Sequence, residues 1–91
     1  MFREITSQER DCLVVDMTPS KTDQGRWDCV IRVIRSGAEV GIYPLPNATP
    51  AELGEELERS SVLHGAPNAP LPVFFRKVEP QVLATIRGIA A

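Results

Sequence analysis

Three side chains in this sequence could support covalent or metal chemistry: the thiols of Cys12 and Cys29 and the imidazole of His64. Nucleophilic catalysis needs a nucleophile, a base and an orienting group in contact. His64 falls near the end of a helical segment, in phase with Leu53 and Leu57, a position that suits partly buried packing. No local signature joins it to either thiol. Cys29 lies on the apolar side of an alternating segment, where a free cysteine behaves as a small hydrophobe. The cysteines are seventeen positions apart, and neither Cys-x-x-Cys nor His-x-x-x-His spacing occurs. The six glycines are scattered, so no loop can cradle a phosphate or a dinucleotide. Glu52 and Glu56 share a helix face, where they favour the helix dipole as a solvated pair. The expectation is a chain with no catalytic residue, no metal site and no cofactor.

Composition narrows the function classes further. Of 91 residues, 43% are apolar and 24% charged, with ten Lys+Arg against twelve Asp+Glu and a formal net charge of −2. This is the profile of one small α+β-sized domain over residues 1–91, neither disordered nor fibrous. No basic block exists to condense on nucleic acid or an anionic membrane, so both partners are disfavoured. No apolar run approaches the roughly 18 residues of a membrane span. The N-terminus lacks a charged-then-apolar leader and two cysteines make no disulfide framework, so a cytoplasmic location is expected. Arginine outnumbers lysine eight to two, a bias of GC-rich bacterial or phage genomes. A chain this short buries only about 60–65% of its unfolded surface, and a partner subunit would add burial that one thin core cannot supply.

The elements that must position any site follow from periodicity and turn chemistry. Residues 1–10 fit either a short strand or a helical turn around Phe2 and Ile5. Residues 12–17 are apolar and β-branched and read as a strand, ended by Pro19, Ser20 and Gly25. Residues 27–35 alternate, with Trp27, Cys29, Ile31 and Val33 on one side and Asp28, Val30, Arg32 and Ile34 on the other. Ser36-Gly37 suits a two-residue hairpin turn. A regular hairpin then pairs Arg35 with Ala38, Val33 with Val40 and Ile31 with Ile42 on the Trp27 side, and Ile34 with Glu39, Arg32 with Gly41 and Val30 with Tyr43 on the other. Pro44-Leu45-Pro46 predicts the end of that third strand. Thr49-Pro50-Ala51-Glu52 reads as a capping box opening a helix that stops at Gly65. Gly54 within it predicts close packing. A connector over 66–72 leads to a strand over 73–78 and a final helix with Val82, Ile86 and Ile89 inward, flanked by Leu83 and Ala90. The order β-β-β-α-β-α predicts an α+β two-layer sandwich, a mostly antiparallel four-stranded sheet with two helices on one face. With Leu13, Val15 and Met17 on the Trp27 side, Cys12 points away from Cys29 and no intramolecular disulfide is expected.

Two helices cover one sheet face, which leaves Val30, Arg32, Ile34 and Tyr43 as the candidate interface on the other. An apolar patch with an aromatic and an arginine has the composition of an interface core. The expected function is therefore a non-catalytic protein-interaction or regulatory domain, associating through this face into a homodimer or with another protein. One alternative is a nucleic-acid-binding accessory protein that uses Arg32 and Tyr43 for phosphate contact and stacking. The other is a small enzyme with a Cys12 or His64 site between subunits.

Overall fold

The apolar run over residues 12–17 lies at the centre of the sheet, with a strand paired along each of its edges. The computed structural model describes the backbone of residues 2–90 and the side chains of residues 2–88. Its elements are β1 (Glu4–Ile5), β2 (Cys12–Pro19), β3 (Trp27–Arg35), β4 (Ala38–Ala48), α1 (Pro50–His64), β5 (Val73–Lys77) and α2 (Pro80–Ala90). They form an α+β fold with one five-stranded mixed sheet in the order β1-β5-β2-β3-β4. The antiparallel pair of β3 with β4 is the expected hairpin, and β2 pairs antiparallel with the other edge of β3. The additions are β1, a two-residue strand at one edge, and the parallel pairing of β5 with both β1 and β2.

Both helices pack on one face, as the inward residues dictate. Leu13, Val15 and Met17 of β2, Cys29, Ile31 and Val33 of β3, and Val73 of β5 join Leu53 and Leu57 of α1 and Val82 and Ile86 of α2 in one buried cluster. The expected placements of Ile89 and Ala90 on α2 lie outside the described side chains. Thr49 caps α1 and Glu52 returns the bond, completing the capping box, and Gly54 is buried as its close packing requires. Gly65 ends α1 for a steric reason. Its φ of −114° is ordinary, but a Cβ there would lie 2.7 Å from the Ala69 carbonyl oxygen and 2.8 Å from that of Ser61. Arg87 of α2 clamps the sheet edge by donating to Glu4 through Nε (2.9 Å) and Nη2 (2.7 Å). No helix among the described residues is long and apolar enough to cross a membrane.

The hairpin turn forms at Ser36-Gly37, with φ of 54° and 80° as a two-residue turn of this hand requires. Arg35 pairs with Ala38 and Ile34 with Glu39, as expected. The register then departs from the regular hairpin. Val33 pairs with Gly41, Arg32 with Ile42 and Ile31 with Tyr43, so Val40 is an additional residue in a β-bulge. The expected burial of Val40 and Ile42 with Ile31 is therefore incorrect: they are 62% and 51% exposed. Trp27, expected fully inside, is half-buried against the cluster. Strand β4 also continues past Pro44 and Pro46, where an end was expected, because an edge strand has one side on which no amide donor is needed.

The bulged register has a direct consequence for stability. Ile31→Ala should cost about 2–5 kcal/mol because it opens a cavity in the core, whereas Val40→Ala should cost less than about 1 kcal/mol. Urea unfolding of the two variants measures the difference, and equal losses would contradict the bulge.

Candidate protein interface

The sheet face away from the helices divides into a closed half and an open half. In the closed half, Ile5, Cys12, Val14 and Ile34 form a second buried cluster with Phe74 against it. Strands β1 and β2 are both parallel to β5 and flank it, so the chain over 6–11 must cross β5 to join them. That connection is tied down at the hairpin end. The Cys12 thiol donates to the Glu9 carbonyl (3.2 Å), the Gly37 amide to the Arg10 carbonyl (2.9 Å) and the Ser36 amide to the Asp11 carboxylate (2.8 Å).

The open half is built around Asp16, the one charged residue within an otherwise apolar stretch of β2. Its side chain is 19% exposed. Arg32 of β3 donates from Nη1 to Asp16 Oδ2 at 2.7 Å, and its Nε lies 3.0 Å from Glu39 Oε1 of β4. Arg76 of β5 grips the same carboxylate from the other side, through Nε at 2.9 Å and through Nη2. The hydrogen bonds from Arg76, reinforced by the charges of Arg76, Arg32 and Lys77, hold the Asp16 carboxyl below the usual aspartate range despite its burial. The Asp16 carboxylate in turn raises Arg76. Asp16, Arg32 and Arg76, with Val30, Thr18, Asp28 and Lys77, line a shallow groove of about 530 Å³.

The four residues singled out in the sequence do not form one patch. Val30 and Arg32 are half-buried on the open face, and Arg32 is engaged by two carboxylates. Ile34 is buried at 5% exposure in the closed half. Tyr43 pairs with Ile31 and so stands on the helix side of the sheet, its ring 5.4 Å from that of His64. In its place the bulge brings Ile42, opposite Arg32, and Pro44, opposite Val30, onto the open face. Sequence reasoning missed Ile42 and Asp16, and it placed Arg76 on the last strand without assigning it to this face. Gly41 inside a strand signals a bulge, and the parity of Asp16 with Cys12 and Val14 sets it on the Arg32 face.

The reactive side chains stay apart. Each thiol donates to a backbone carbonyl, Cys12 to Glu9 and Cys29 to Trp27, and they occupy opposite faces of the sheet. Burial raises the Cys12 thiol and pushes Cys29 up to about 11, so neither is a ready thiolate at neutral pH. His64 Nε2 is buried without a hydrogen-bond partner, so no Cys–His pair is assembled among the described residues. No group of three or more His, Cys, Asp or Glu side chains gathers among those residues in a way that could hold a metal ion.

The lowered Asp16 carboxyl makes a prediction about acid stability. A carboxyl depressed in the folded state contributes its stability in full above its ordinary value, 3.8, and loses it as the pH falls through the lower folded value. Asp16→Asn should therefore be less stable than the native chain at neutral pH, and the gap should narrow as the pH drops below 3.8. Thermal unfolding across an acid series checks this; a gap that stays constant would show that the Asp16 charge does not matter.

Comparison with protein-family models, with curated proteins and with solved structures finds no match to this chain.

Proposed function

We propose that this chain is a non-catalytic protein-interaction domain that associates with a second copy of itself through the open half of its sheet, in the cytoplasm. The observation that carries the reading is Ile42. It is half exposed beside Val30 and Pro44, on the face the helices leave uncovered, and both Arg32 opposite it and Arg76 across that face are already paired with carboxylates. Burial of a lone charge opposes association strongly, but charges that already have partners can enter an interface at far lower cost. Covering on the order of 600 Å² per subunit would reach the lower range of specific interfaces. The two buried, unpaired thiols suit a reducing compartment.

The same pairing weighs against nucleic acid. A phosphate would have to displace Asp16 from Arg76, or Asp16 and Glu39 from Arg32, before it could take either guanidinium. The aromatic needed for stacking, Tyr43, is on the other face from Arg32.

Sedimentation velocity at high micromolar concentration is expected to report a dimer. Ile42→Glu should shift it to monomer with little change in thermal unfolding, because the side chain is outside the core. A monomeric native chain, or an Ile42→Glu variant that stays dimeric, would overturn the proposal.

A further inference from the structure

A bulge in β5 gives the open face a charge layout that its apolar patch does not explain. In regular alternation the consecutive residues Arg76 and Lys77 would point to opposite faces. Along β5, however, the register steps from Val15 opposite Phe75 to Asp16 opposite Lys77, leaving Arg76 as the additional residue. Both cations therefore line the same groove beside Asp16. Arg76 is consumed by Asp16. Lys77 feels the Asp16 charge across the strand pair but makes no hydrogen bond or ion pair among the described residues. On the far side of the groove, Asp28 of β3 accepts one hydrogen bond, from the Asn47 amide at 2.9 Å, and has no cation partner among those residues. The groove thus has one unmatched cation on β5 and one unmatched anion on β3, with β2 between them.

The geometry points to Lys77 of each copy pairing with Asp28 of the other, an inference that rests on the self-association proposed above. Two faces related by two-fold symmetry have their axis in the plane between them. An axis across the strands would set β5 upon β5 and bring Lys77 toward its own mate. An axis along the strands, over β2, exchanges the β5 side of one copy for the β3 side of the other, so that cation meets anion twice. The spacing along the strands fits. Lys77 is level with Asp16, and Asp28 is level with Thr18 two residues further on, an offset of roughly 7 Å that an extended lysine spans. Asp16 lies under this axis and would approach its own mate, but two guanidiniums already neutralise it. Charge pattern therefore selects one of two symmetric arrangements, and like-charge contact penalises the other.

Charge reversal tests the pairing by sedimentation velocity. Lys77→Asp alone and Asp28→Lys alone should each weaken dimerisation by about tenfold or more, since each makes two like-charge contacts per dimer. An equimolar mixture of the two single variants should form heterodimers, because both cross-pairs are then restored, and high salt should weaken the native dimer. Asp28→Asn keeps the acceptor for the Asn47 amide and removes only the charge, so it should also weaken the dimer and controls for local misfolding. A native dimer with unaffected variants, or without recovery in the mixture, overturns the pairing and leaves self-association standing. A native monomer overturns the self-association itself.

Discussion

The rest of the structure is arranged around β2, a strand buried on both of its faces. Leu13, Val15 and Met17 face the helices, while Cys12 and Val14 face the other way and are as completely enclosed. A strand in that position needs a neighbour on each edge and cover on each side, because backbone and apolar side chains alike must be taken from water. The edges are filled by β3, antiparallel from the hairpin, and by β5, parallel from beyond α1. Two helices supply one cover. The second face has no such layer, and it is handled in two ways. The connection over 6–11 seals the end that carries Cys12 and Val14, and at the other end the strand substitutes Asp16 for an aliphatic and surrounds it with arginine.

How much of this was legible in the sequence depends on whether one local pattern decided it. The hairpin turn was readable because Gly37 tolerates the positive φ that a two-residue turn requires, and Ser36 adopts it as well. The start of α1 was readable because a capping box is a local exchange between Thr49 and Glu52. The inward set on β2 and β3 followed from period two with one face buried. The β4 register did not, because regular pairing and the bulged alternative differ by one residue on an edge strand. Sequence pattern favours the register that buries Val40 and Ile42, but the bulge at Val40 shifts the strand by one residue and sets Tyr43 and Leu45 on the helix side instead. The chain places Gly41 opposite Val33 instead and leaves both aliphatics half in water. The parallel pairings of β5 were hidden for a different reason: they join segments some sixty or more positions apart, and nothing in either segment names the other.

The bulge at Val40 in β4 and the bulge at Arg76 in β5 have opposite effects on what the open face displays. In β4 the additional residue trades Tyr43 for Ile42, making the face more aliphatic and removing its aromatic. In β5 the additional residue brings Arg76 and Lys77 together, making one border of the face more basic. Both act by parity alone. One inserted residue reverses the side of everything beyond it, so a face assembled from several strands can change character without any change in composition.

Edge pairing offers a second copy less than the face does. An exposed edge strand invites another chain through its free amides and carbonyls, and β4 is long and terminal in the sheet. Yet Pro44 and Pro46 remove donors from it, two register shifts interrupt an even ladder, and Glu39 sets a charge beside its start. At the other edge β1 has only two residues. With neither edge suited to continuous pairing, association through the sheet has to bring together side chains rather than backbones. It must then satisfy each charge it removes from water. Asp16, Arg32, Arg76 and Glu39 meet that condition within one chain. Lys77 and Asp28 have no ion-pair partner among the described residues, and in the proposed dimer, with two copies turned about an axis along the strands, they would satisfy one another.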